Sequence, residues 1–198
     1  MTAVPESSPA APAARPWFVG AWRRRSITIP GGSPVEPCDA WWLQTNDVFV
    51  DVRVTRDGHD ENGMPYSSTR AFAGRFEIAD GEIRWHLALD SHGPTPHTDR
   101  APAGGLFLDP DEPGVMIEDA PGRFREVWVR HKPVGPIEVV HTDSMIAVRI
   151  GDIGAVVQTD GQRVDARLWL PDPARVFDVS SVAGPAQNSC CGDEVASD

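Results

Sequence analysis

Apolar and polar residues alternate in short runs along most of this chain, and the runs are cut by Gly, Pro, Asn and Asp. Two-residue periodicity marks half-buried β-strands, whose side chains point to opposite faces in turn. The first run, Trp17 to Ile29, stops at Pro30-Gly31-Gly32. The second, Trp41 to Val54, puts Val48, Val50, Val52 and Val54 on one side and Phe49, Asp51 and Arg53 on the other. Arg70–Ala79 and Glu82–Leu89 flank Asp80-Gly81, a pair suited to the positive φ of a tight hairpin turn. In that hairpin Phe72, Gly74, Phe76 and Ile78 are expected to face Ile83, Trp85, Leu87 and Leu89. Further strands are expected at Leu106–Leu108, Val115–Asp119, Phe124–His131, Ile137–His141, Met145–Ile150, Ala155–Thr159 and Arg163–Leu170. No stretch sustains helical spacing. The expectation is an all-β, antiparallel barrel of about ten strands, closed because closure removes unpaired edges.

Composition narrows this picture. A chain of 198 residues suffices for one domain with a full core. We expect residues 1–16, rich in Ala, Pro and Ser, to be a disordered segment, 17–179 the barrel, and 180–198 a flexible polar tail. A net charge of -11 disfavours nucleic acid and anionic membranes as partners. The first residues lack the basic start and apolar run of a secretory signal, and no long apolar span follows. Three cysteines, two of them adjacent at Cys190 and Cys191, suit a reducing compartment, so the expected location is cytoplasmic. The sequence carries no signal for oligomeric state.

Gly20-Ala21-Trp22 heads the first run, and Arg23-Arg24-Arg25 follows it. A Gly-x-Trp at the start of an all-β meander resembles the entry strand of calycin (lipocalin-like) barrels, where the indole closes the floor under an arginine. Further words follow in order: Ala71-Phe72-Ala73-Gly74, Trp85 with Leu89-Asp90, Phe124-Arg125-Glu126-Val127-Trp128, and Ile146–Ile150 leading into Gly154–Gln158. This order resembles the fungal calycin-like family first noticed as interactors of a casein kinase, and bacterial proteins of similar length. The resemblance spans residues 70–170 and implies a lipocalin-like barrel. It implies no catalytic residues, and kinase interaction is not carried over to this chain. The haem-binding nitrobindin group, also calycins, has a glycine-rich entry strand and a haem-ligating histidine that are not recognisable here. No cofactor is expected.

The polar alternates are the first candidates for chemistry. Arg84 and His86 flank Trp85, Glu118 follows Ile117, and Glu126 and Arg130 share a side with Trp128. If these faces point inward, a carboxylate, an imidazole and guanidiniums stand beside indoles, a setting for binding or proton transfer. The plainer reading, that charged alternates face water, is favoured for Asp51, Arg84 and His86. The ligand-binding candidates are Trp22, Arg53, Trp85, Glu126, Trp128, Arg130 and Arg149, with Arg149 or Arg130 as the cation stacked on Trp22. The catalytic candidates are His86, Glu118 and Glu126. The loop containing Asp90, His92, His97 and Asp99 matches no zinc spacing, and no metal site is expected. Acidic Asp193 and Glu194 would raise the thiol pKa of Cys190 and Cys191, so a reactive nucleophile is not expected there.

The leading functional expectation is a barrel that binds a small, partly apolar organic compound, an organic acid included. Two others stay open. One is a cofactor-independent isomerase, cyclase or hydratase working in the barrel; the other is a protein-interaction module without a ligand.

Overall fold

The computed structural model describes residues 16–55, 70–79, 82–91, 105–133, 135–171 and 175–180. The Asp80-Gly81 turn, the histidines of the 92–99 loop and the Cys190-Cys191 pair lie outside the described residues. Thirteen strands form among them, and none of the described residues is helical. They are β1 (Gly20–Thr28), β2 (Cys38–Gln44), β3 (Val48–Thr55), β4 (Arg70–Ala79), β5 (Glu82–Asp90), β6 (Gly105–Leu108) and β7 (Val115–Ala120). Then come β8 (Phe124–His131), β9 (Ile137–Thr142), β10 (Met145–Ile150), β11 (Ile153–Thr159), β12 (Val164–Leu170) and β13 (Arg175–Ser180).

The strands do not form the single closed ring expected from the alternation. Eight of them make one antiparallel sheet in the order β5-β4-β3-β2-β1-β8-β7-β6, which curls through 220° into a half-barrel. Its edges, β5 and β6, approach one another but do not pair. The other five make a separate meander, β13-β12-β11-β10-β9.

The second sheet packs on the outer side of the first. Ala21, Trp41, Leu43, Val48, Val50, Val52, Ala71, Ala73 and Leu89 meet Ile146, Val148, Ile150, Ile153, Ala155, Val157, Ala166 and Leu168 in one aliphatic core. The β3 valines, on one face by alternation, therefore all find a cover. The opposite, concave face of the half-barrel carries a second core of Trp22, Cys38, Ala40, Trp42, Phe49, Met116 and Trp128, flanked by Phe72, Phe76, Trp85, Leu87 and Leu106. Both faces of β2 and most of β3 are consequently buried.

Two local features depart from simple alternation. The run from Trp41 to Val54 is two strands, because Thr45-Asn46-Asp47 turns the chain without a glycine. The Thr45 hydroxyl accepts from the Asp47 and Val48 amides at 3.2 and 3.0 Å, doing the work of a turn backbone. In the β4–β5 hairpin, the register jumps from Gly74↔Leu87 to Ala73↔Leu89. The extra residue, Ala88, flips the parity, so Leu89 joins the aliphatic core and not the Trp85 face; Asp90 comes to pair with Phe72 instead. Close strand approach demands the glycine here: a Cβ on Gly74 would lie 2.0 Å from the His86 carbonyl oxygen.

Candidate functional site

The concave face has an aromatic end and an ionic end. At the aromatic end Trp42 meets Trp85 and Trp128 edge-on, at ring-centroid distances of 4.9 and 5.5 Å, and Phe49 meets Trp85 at 4.7 Å. These are the tilted geometries that ring quadrupoles favour. The Trp42 indole N–H donates to Gln44 Oε1 at 2.9 Å, and Gln44 in turn donates to the Thr45 carbonyl. Every polar atom named there has a partner.

Trp22 is fully buried beside this cluster, and its N–H donates to the Phe18 carbonyl at 2.8 Å. The Arg130 guanidinium lies 4.3 Å over its ring and donates to the carbonyls of Trp17 and Val19. Gly20 makes this possible: its φ is +156°, and a Cβ there would lie 3.0 Å from Arg130 Nη1. Of the two arginines considered as the cap of Trp22, Arg130 is the one in place. Arg149 sits on β10 of the other sheet, where it donates to the Gly151 carbonyl and approaches Glu138 at 3.6 Å.

The ionic end is assembled from five segments. Arg24 shares the face of Trp22 by alternation and pairs with Trp128 of β8. A bulge follows it, and the extra residue, Arg25, turns outward to Glu112. Arg24 Nε and Nη2 donate to Glu36 at 3.0 and 3.2 Å, while Nη1 donates to Glu126 Oε1. Across the cup, Arg53 Nε and Nη2 donate to Asp51 at 2.9 and 3.1 Å, and Nη1 donates to the same Glu126 Oε1 at 3.1 Å. Glu126 thus joins two guanidiniums held from opposite sides. Glu118 stands directly across from it in the β7–β8 register. Arg70 and Asp90 form a further pair at 2.6 Å near Phe72.

Burial and neighbours set these carboxyls apart. Burial opposes ionisation of Glu126, but Arg53 and Arg24 outweigh it and hold the carboxyl below its usual range. Burial pushes Asp51 up against the pull of Arg53. Glu118 rises to about 8, first through burial and then through the charge of Glu126 beside it. Two buried polar atoms of this end have no partner: Glu126 Oε2 and Trp128 Nε1. The Trp128 N–H lies toward Glu118 and favours its ionised form, yet completes no hydrogen bond. Native interiors rarely leave such atoms unmatched, and each one calls for an explanation.

Of the residues singled out from sequence, the concave face gathers Trp22, Arg53, Trp85, Glu118, Glu126, Trp128 and Arg130. It excludes His86, whose exposed side chain lies 3.6 Å from Glu77 on the outer side of the β4–β5 hairpin. Arg84 is likewise exposed. Asp51 reverses the expectation that it faces water: it is 4% exposed, because Arg53 and the other groups packed on the concave face cover it. Arg24 and Glu36 were not foreseen. The signal for Arg24 was its position two residues after Trp22 in the same strand; Glu36 arrives from a loop and leaves no periodic trace.

No family model matches this chain, and no curated protein does. Among solved structures it is similar to an uncharacterized protein from Bacteroides eggerthii, with 14% identity, a TM-score of 0.37, and coverage of 58% of this chain and 99% of that one.

Proposed function

We propose that the concave face is the cup of a calycin-like binding protein, and that it takes a small, partly apolar organic molecule. The observation that carries this reading is the juxtaposition of an aromatic wall with two unmatched buried polar atoms, Glu126 Oε2 and Trp128 Nε1. A ligand carrying one donor and one acceptor on an apolar body would satisfy both and lie against Trp42, Trp85 and Trp128. This reading places the protein in a reducing cytoplasm, in keeping with three cysteines of which two are adjacent.

The test is calorimetric and fluorimetric titration of the purified protein with small apolar compounds bearing different polar heads. Saturable heat with a shift in tryptophan emission supports the reading. A panel in which no class of compound binds, together with a side-chain-filled cup, removes it.

A second reading draws on the carboxyl pair alone. A neutral Glu118 beside an ionised Glu126 offers an acid and a base in one enclosed place, as cofactor-independent isomerases, cyclases and hydratases require. His86 has no part in it. Incorporation of solvent deuterium into a bound ligand would favour this reading, and its absence for every ligand that binds would count against it.

A further inference from the structure

Among the described residues, the ionic end holds more carboxyls than cations to answer them. Arg24 is committed to Glu36 and Glu126, and Arg53 to Asp51 and Glu126. Three carboxylates therefore share two guanidiniums, and Glu126 keeps Oε2 without a partner although the residue is 2% exposed. Glu118 adds a fourth carboxyl directly across the strand pair. The rings around them already host cations: Arg53 lies 5.3 Å from the Phe72 centroid and 5.9 Å from that of Trp128, and Arg24 lies 5.9 Å from Trp128.

We propose that the ligand of this site is an organic cation, a primary or secondary amine on an apolar skeleton, whose N–H groups donate to Glu126 Oε2 and to the carboxylate of Glu118. This rests on the binding reading above and specifies its chemistry: the amine answers Glu126 Oε2, and the Trp128 N–H turns to the ionised Glu118 carboxylate toward which it lies. A ligand carboxylate would bring a further negative charge beside Glu126 while both guanidiniums are engaged elsewhere. A hydroxyl would supply a donor to the orphan oxygen but no positive charge to lie between Glu126 and Glu118. An ammonium supplies both, and aromatic faces favour it further.

The proposal fixes a proton balance. Glu118 is faced by Glu126 and the Trp128 N–H from β8 and by Asp51 and Arg53 from β3, while Leu106, its neighbour on β6, does not titrate. In the empty site these surroundings keep it protonated at neutral pH. An ammonium bound beside it favours the ionised form, so binding expels that proton to solvent.

The test uses the full-length chain and three probes on one skeleton: 3-phenylpropylamine, 3-phenylpropanol and 3-phenylpropanoate. Each is titrated by calorimetry at neutral pH in two buffers of different ionisation enthalpy, which reads proton release directly. The amine is expected to bind about tenfold more tightly than either analogue, and to release roughly one proton. In Glu118→Gln, with circular dichroism confirming the fold, the release is expected to vanish and the amine to weaken about tenfold. Equal or tighter binding of the alcohol or the acid overturns the amine assignment and leaves the binding reading standing. Tighter amine binding without proton release in the wild-type chain places the ammonium elsewhere and also overturns it. Failure of all three probes removes both.

Discussion

The two faces of the eight-stranded sheet are made from the same strands by opposite rules. On the outer face, β3 offers Val48, Val50 and Val52 to a second sheet, and the contact is aliphatic but for Trp41. On the concave face, the same strand offers Phe49, Asp51 and Arg53, and the layer it joins mixes tryptophans with buried ions. The outer layer behaves as ordinary packing, in which stability follows buried apolar area. The inner layer also buries large apolar area through Trp22, Trp42, Trp128 and Phe49, but it adds ion pairs whose desolvation offsets much of their attraction. An indole N–H goes unmatched in each layer, Trp41 in the outer and Trp128 in the inner, but only the inner one sets two carboxyls, Glu118 and Glu126, against each other. That difference is what the proposed binding reading rests on.

The largest effect should come from exchanging the rules. Val52→Asp puts an unpaired charge in the aliphatic layer and should cost about 5 kcal/mol or prevent folding, read by urea denaturation. Glu126→Leu strands two guanidiniums at once and should cost about 3 kcal/mol in the same assay. A cost near that of a surface substitution would show that Arg24 and Arg53 are held by other groups.

The comparison sharpens with pH. Folded Glu118 keeps its proton up to about 8, against an ordinary value of 4.5. Between those values the folded chain binds more protons than the unfolded one, so stability falls as pH rises through that window. Glu118→Gln should flatten this slope and leave the variant more stable than the wild type at alkaline pH, measured as urea midpoints across the range. Glu126 acts oppositely: its carboxyl is held low, so its contribution is present above the ordinary carboxylate value and is lost as pH falls below it. At the small end, Arg25→Ala removes an exposed pair with Glu112 and should leave the urea midpoint within error.

Much of the scaffold was readable from alternation, and the Gly20-x-Trp22 entry gave Arg130 its place over the indole. What alternation cannot supply is the number of layers. The pattern of β3 is the same whether Asp51 meets water or a second buried face, and only the curl of the sheet, which brings β8 over it, decides it. The docking of the second sheet does not cover Arg84 and His86, so there the expectation of solvent exposure held. Closure failed for a related reason: the chain after His131 starts a separate sheet, and a strand pattern carries no record of its partner sheet. Ala88 illustrates a third limit, since one unpaired residue moved Leu89 to the other core. The ionic end was half visible, because Glu126 shares a face with Trp128 while its partners come from distant strands and a loop.

The most direct test is a pH titration of the glutamate side-chain carboxyls by carbon-13 NMR, with Glu118→Gln and Glu126→Gln assigning the two resonances. The account predicts a Glu118 carboxyl still protonated at neutral pH and titrating near 8, beside a Glu126 carboxylate that remains ionised below 4.5. Two carboxyls titrating together at the ordinary value would contradict it, and the concave face would then be a solvated surface.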